Sequence, residues 1–214
     1  MTFDRRLQRR ILEGIVATIL AHAAELTELD RAIGDGDHGI NLERGFRAVE
    51  KQLDALEAMP LGTALTEAGK RLVMTVGGAS GPLYGTFFME FGRRLAAPDE
   101  LAGGLTLECF VTAYDAAIAA VKARGKSEAG QKTMLDVLIP VQAELHAAGP
   151  GLLSRVRERA ASAARETIPM IALRGRASFL GERSAGHMDP GARSSELLIA
   201  AVCSSLQAAH QAQT

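Results

Sequence analysis

Tryptophan is absent, and the 214-residue chain holds only two tyrosines and seven phenylalanines. A core built from it must rely on aliphatic side chains and on alanine, which lets helices pack closely. Cysteine is nearly absent too. Cys109 and Cys203 lie far apart in apolar surroundings, with neither C-x-x-C spacing nor a disulfide framework, so a reducing cytoplasm is the expected setting. Neither sign of charge dominates: the formal net charge is −1, which implies no basic face, and no nucleic-acid partner is expected. No uninterrupted apolar run reaches about 18 residues, so no membrane span is expected. The opening stretch MTFDRRLQRRILEGIVATIL is basic and then apolar, but Glu13 interrupts it and no cleavage site follows, which argues against a signal peptide.

Alternating strand patterns are nearly absent as well, and what remains is helical. Leu7, Ile11, Ile15 and Ile19 step by four, and Leu26 and Leu29 continue the stripe. Leu42, Phe46, Val49, Leu53 and Leu56 form a second stripe, and Leu61, Leu65, Leu72 and Val76 a third. Residues 82–96, 106–123, 133–147, 151–168 and 194–211 carry the same period. The spacing predicts an all-α chain of about eight helices packed as one bundle. With 47% hydrophobic residues and no linker or repeat, residues 1–214 are expected to form a single domain. The unusual chemistry sits in glycine-rich breaks at 34–39, 77–81, 125–130 and 175–191, whereas 98–104 looks like plain connection.

The stretch AIGDGDHGIN, residues 32–41, spells G-x-G-x-x-G with Gly34, Gly36 and Gly39. A dinucleotide loop needs a strand before it, and here a long helix precedes it. Asp35 and Asp37, with Asp30 upstream, would also repel a pyrophosphate. Three carboxylates and no thiolate suit Mg²⁺ or Ca²⁺, and the glycines allow a sharp turn on which they can converge. An EF-hand is excluded, because a loop started at Asp35 places Gly39 and Phe46 where acidic ligands are required. Two readings stay open: a Mg²⁺ site completed by water and phosphate oxygens, or a solvated acidic turn in which Asp37 or His38 caps the next helix.

VGGASGPLYG, residues 76–85, has small residues followed by Pro82, a first-turn residue of helices. Its backbone N–H groups and the Ser80 hydroxyl form either an anion cradle or an ordinary tight turn. RGKS at 124–127 is not a P-loop, since Ala120 stands where its first glycine belongs and a helix precedes it. The polar stretch 174–194 is long for a structureless connection, which marks it as functional. In it Arg174, Arg176 and Arg183 can pair with phosphates, and His187 and Asp189 can bond a ligand. Acidic metal ligands, backbone donors and arginines together are the equipment of phosphoryl transfer. His22, His146 and His210 lie on helices and read as surface or packing residues.

Four ordered motifs, LDRAIGDGDHGINLERGF, VGGASGPLYGTFF, RGKSEAGQKTMLDVLIP and GRASFLGERSAGHMDPGA, span residues 29–194. Together they resemble the L, or nucleotide-binding, subunit of bacterial dihydroxyacetone kinases. The resemblance implies an antiparallel eight-helix barrel with ADP or ATP at one end and two Mg²⁺ on Asp30, Asp35 and Asp37. It places His38, Gly39, Ile40, Asn41, Ala79 and Ser80 on the phosphate side. Gly125 and Met134 would line the nucleotide pocket, and Arg176, Asp189, Pro190 and Gly191 would form a closing loop, with Arg176 catalytic. Its partners would be a K subunit that holds dihydroxyacetone and a phosphoryl-carrier subunit of the phosphotransferase system, and a homodimer is expected. In the phosphotransferase-linked mode ADP is retained and rephosphorylated in place; in fused kinases ATP is a substrate. His38 resembles the linked form, the fused kinases carrying Cys there. Gln131 departs from the Asp of the family's GDKTM pattern. An ATP-dependent kinase subunit, for dihydroxyacetone or for another ketose such as erythrulose, and a nucleotide-sensing regulatory partner are the alternatives.

Overall fold

A computed structural model of the chain describes residues 3–95 and 105–212; the connection expected at 98–104 lies outside them. Among the described residues the regular structure is entirely helical. The helices are α1 (Arg5–Ile33), α2 (His38–Glu50), α3 (Leu53–Ala58), α4 (Leu61–Thr75), α5 (Ser80–Leu95), α6 (Leu107–Gly125), α7 (Leu135–Ala147), α8 (Leu152–Glu166) and α9 (Pro190–Gln211). The all-α expectation therefore holds, with two local differences. The stripe expected to run from Leu42 to Leu56 breaks at Lys51 and Gln52 into α2 and α3. Buried Gln8 caps the far end of the short α3, its Nε2 donating to the carbonyls of Leu56 (2.7 Å) and Met59 (3.1 Å). The final helix begins at Pro190 rather than 194: Asp189 accepts a capping bond from the Ala192 N–H and Pro190 opens the first turn.

Neighbour relations run α1–α2–α4–α5–α6–α7–α8–α9 and return to α1, with α3 lodged against α1 and α4. Every second connection in that order, α1–α2, α4–α5, α6–α7 and α8–α9, contributes to one cavity. Ile19, Leu26, Leu42, Leu72, Leu135 and Val137 form part of one continuous aliphatic core. The few aromatic residues are pooled: Phe87, Phe88, Phe91, Phe110 and Tyr114 stack or meet edge to face between α5 and α6. Cys203 is buried and burial pushes its thiol up to about 11, so neither packing nor charge suggests thiol chemistry there. No described helix is long and apolar enough to cross a membrane.

Close approach rather than turning explains one glycine of the 34–39 loop. Gly39 lies inside the first turn of α2, where a Cβ would overlap the Ala23 carbonyl oxygen and the Thr27 hydroxyl of α1. Backbone does not yield as a flexible side-chain tip does, so Gly39→Ala should push α2 off α1. The expected loss is about 2–3 kcal/mol in thermal or urea unfolding; a variant as stable as the original chain would show that the crossing tolerates a methyl.

Candidate functional site

The acidic residues belong to the junction between α1 and α2. Asp30 is in the last turn of α1 and buried, and its Oδ2 accepts from the backbone N–H groups of Asp37 (2.8 Å) and His38 (3.1 Å). A carboxylate from the end of one helix thus caps the start of the next. Gly36, at φ +73°, supplies the left-handed turn between them. Asp37 occupies the N-cap position yet makes no side-chain capping bond. Neither Asp37 nor His38 is therefore the capping side chain that a plain acidic turn would require. One carboxylate oxygen from each of Asp30, Asp35 and Asp37 lies within 4.8 Å of the other two. The all-oxygen donor set fits Mg²⁺, which keeps several positions for water or phosphate oxygens. Arg176 Nε donates to Asp35 Oδ2 at 2.9 Å, so the arginine loop closes directly on this cluster.

His38 connects three helices. Its Nδ1 lies 2.9 Å from Ser80 Oγ of α5 and its Nε2 2.9 Å from Ser194 Oγ of α9. The Ser194 hydroxyl also reaches the Pro190 carbonyl (2.8 Å), so the ring and both serines belong to one hydrogen-bonded network. Burial holds the ring pKa down to about 4, outweighing the Asp37 charge nearby, so the imidazole is neutral. Ser80, at the start of α5, pairs with His38 and also borders the cavity. Tyr84, buried below, lies 2.7 Å from Ser194 Oγ and 3.0 Å from Ser195 Oγ, and burial raises its phenol to about 12.

The neutral glycine loop leads into α5. Gly78 has φ +63°, and a Cβ there would meet only one atom, at 3.9 Å. Its bare backbone, with Ala79 and Ser80 at the start of a 16-residue helix, borders the cavity. This places helix-terminal N–H groups and the positive end of the helix dipole beside the carboxylate cluster. Opposite lies the segment between α8 and α9, which contains a 3₁₀ helix (Arg176–Ser184) kinked at Gly181. Asp189 ends that segment in a buried position. Burial pushes its carboxyl up to about 7, with the Ala192 N–H bond opposing and the nearby Asp136 and Asp30 carboxylates adding to the rise.

These parts enclose an open cavity of about 160 Å³. It gathers Asp30, Asp35, Asp37, His38, Ala79 and Ser80 with Met134, Arg176, Asp189, Pro190 and Gly191, as the motifs implied. Gly39, Ile40, Asn41 and Gly125 are not in its lining. Gly39 serves the helix crossing; Ile40 is exposed; the Asn41 amide oxygen accepts from Arg44 Nη2 (2.7 Å); a Cβ on Gly125 would touch the Ser127 hydroxyl and Leu83. Arg183 and His187 are exposed and also stand outside it. Lys132, Thr133, Tyr84 and Ala177 line the cavity without having been anticipated. Lys132 and Thr133 had no periodic partner to mark them, and Tyr84 reads as core by its helical spacing. Gln131 has a role of its own: its Oε1 accepts from the Glu128 N–H (3.1 Å) and from Arg174 Nε (3.4 Å), tying the two loops together.

Residues 32–204 match the DAK2 domain family. The ADP-binding subunit DhaL of PEP-dependent dihydroxyacetone kinase 1 from Listeria innocua is 42% identical over 94% of this chain and 97% of its own length. The ADP-binding subunit DhaL of the PEP-dependent dihydroxyacetone kinase of Escherichia coli is 46% identical over 79% of this chain and 81% of its own. Among solved structures, the dihydroxyacetone kinase of C. freundii in complex with AMP-PNP and Mg²⁺ superposes with a TM-score of 0.72 at 29% identity. That match covers 96% of this chain and 35% of the larger protein.

The division of labour in the acidic loop separates two substitutions. Asp37→Asn should weaken Mg²⁺ binding in calorimetric titration while leaving stability within about 0.5 kcal/mol, or slightly raised, because no capping bond is lost. Asp30→Ala should weaken Mg²⁺ binding and also cost about 1–2 kcal/mol, since two N–H groups at the start of α2 lose their acceptor. Equal stability losses in both variants would refute the assignment of the cap to Asp30.

Proposed function

Since this chain belongs to the DAK2-domain family, we propose that it is the nucleotide-binding, phosphoryl-transfer subunit of a dihydroxyacetone kinase. The observation that carries this reading is the convergence of three carboxylates, a bare helix N-terminus and an arginine on one cavity. In this reading Asp30, Asp35 and Asp37 hold two Mg²⁺. Bound there, Mg²⁺ supplies the charge neutralisation of phosphate oxygens on which phosphoryl transfer depends. The backbone of Gly78, Ala79 and Ser80 orients the phosphates, Met134 and Gly191 border the nucleotide, and neutral His38 stiffens the cradle. Arg176, with its side chain about two-thirds exposed, reaches the transferring group and stabilises the charge that develops on it.

The γ-phosphoryl group of ATP passes to a hydroxyl oxygen of dihydroxyacetone, whose proton is lost, and ADP remains. The acceptor is held by a separate K subunit, and a phosphoenolpyruvate-dependent carrier subunit returns a phosphoryl group to the retained ADP. Two features support that donor mode over exchange of free ATP. Relatives matched along four fifths or more of their own length are named PEP-dependent, and His38 stands where the resemblance associates histidine with the phosphotransferase-linked form. The reading includes a homodimer and a cytoplasmic setting, in keeping with two cysteines that form no disulfide.

Asp35→Asn should abolish nucleotide retention, and chelation by EDTA should release nucleotide from the unaltered chain. Equal nucleotide affinity with and without EDTA would sink the reading. Arg176→Ala should lower the transfer rate about 100-fold, the usual loss for one donor to a developing charge, while weakening nucleotide binding much less. Unchanged turnover would remove Arg176 from the chemistry.

A further inference from the structure

Lys132 is the one lysine or arginine buried to 1% exposure among the described residues. Its backbone adopts φ +60°, a left-handed conformation that a non-glycine residue keeps only when its surroundings insist on it. Asp136 shapes the turn that presents it, accepting from the N–H groups of Thr133 (2.6 Å) and Gly130. From there the Lys132 ammonium enters the segment between α8 and α9 and donates to the carbonyls of Ser184 (2.6 Å), Met170 (2.9 Å) and Ile168 (3.5 Å). Three donors meet three acceptors, so none is left over for a phosphate, and Lys132 is not a direct ligand.

The segment is held besides by a few bonds: Leu173 N–H to the Gln131 carbonyl (3.2 Å), Ala172 N–H to Ser184 Oγ (2.8 Å), and the exposed contacts of Arg174 with Gln131 and Arg176 with Asp35. Its neck is closed by Gly186 N–H to the Ile168 carbonyl (2.8 Å) and Asp189 N–H to Thr167 Oγ1 (3.1 Å). Beyond the neck its apolar anchorage is small: Ala172 and Ala177 bury against Ile33 with help from Leu180, while Leu173 and Phe179 are 60% and 88% exposed. Burial of two alanines cannot order some twenty residues against their conformational entropy. The pin on three carbonyls is the charge-assisted constraint made away from water, whereas the Arg176–Asp35 pair is solvent-exposed, and such bonds are the stronger ones when buried.

We propose that Lys132 is the positioning residue of the site, its ammonium clamping the 167–189 segment so that Arg174, Arg176 and Ala177 stand against the acidic cluster. The inference rests on the nucleotide reading for what the segment does, and on geometry alone for what holds it.

Amide hydrogen exchange on the full chain, paired with Mg·ADP titration, tests it. In Lys132→Met, amides at 170–186 should exchange about tenfold faster or more, while those of α4 and α5 stay within about twofold of the original. Mg·ADP should bind about tenfold more weakly, because the ligand must now order the segment itself, and its binding should restore the lost protection. Lys132→Arg, which keeps a cation and several donors, should hold segment exchange within about threefold. Unchanged segment exchange in Lys132→Met, or equal acceleration in every helix, would overturn the proposal. So would faster segment exchange with unaltered Mg·ADP affinity. Failure of the unaltered chain to bind Mg·ADP would sink the nucleotide reading instead, and the exchange measurement, which needs no nucleotide, would still decide the role of Lys132.

Discussion

Three carboxylates within 4.8 Å of one another repel, by a few kcal/mol per pair at an effective dielectric of about 20. The site depends on how the fold keeps them there. Asp30 is tethered by two backbone N–H groups at the start of α2, so its negative charge sits on the positive end of a helix. Arg176 pairs with Asp35. Asp37 makes no capping bond and remains available to a cation. Everything else about the α1–α2 junction serves that arrangement: the left-handed turn at Gly36, and the bare Gly39 that lets α2 start flush against α1.

The same economy of side chains recurs through the bundle. With few aromatic residues to fill space, the helices approach through glycine and alanine. At the α4–α5 crossing, a Cβ on Gly69 or on Gly85 would stand 2.8 Å from the other's carbonyl oxygen. Tight crossings leave little freedom in how the helices end, and the four alternate connections are thereby delivered to one cavity. The polar network of His38, Ser80, Ser194 and Tyr84 then locks α2, α5 and α9 together beneath it. Such a network stabilises only when its members are satisfied, and a neutral His38 ring, with one donor and one acceptor nitrogen, serves a serine on each side.

Much of this was legible in the sequence, for reasons that differ by residue. Helices longer than ten residues show a 3.6-residue period strongly enough to be read directly, and the acidic cluster is local, three aspartates within eight positions. Contacts that join distant segments left no such trace. The end of α3 is capped by Gln8, more than forty residues earlier in the chain. The pairing of the Ser80 hydroxyl depends on a histidine in another helix. Lys132 was invisible because a buried lysine and an exposed one look alike in sequence; only the three carbonyls it meets distinguish them. Gly39 carried a true signal with the wrong meaning: glycine was required, for a helix crossing rather than for a turn.

The charge balance of the cavity gives a physical reason why metal and nucleotide should bind together. Asp30, Asp35 and Asp37 contribute three formal negative charges. Arg176 pairs with Asp35, while Arg174 Nε is bonded to Gln131 and the Lys132 ammonium to backbone carbonyls, so of the three cations only Arg176 meets the cluster directly. Asp189, held up to about 7 by burial, adds a further partial negative charge near neutral pH. Without a cation the carboxylate cluster, three aspartates against one paired arginine, is net negative and opposes a polyphosphate, despite the helix N-terminus beside it. With divalent cations the sign reverses locally, and the helix dipole, the backbone donors and the arginine loop all act in the same direction. The carboxylates that look misplaced in a glycine-rich phosphate loop are thus, on the proposed reading, what would make anion binding conditional on metal.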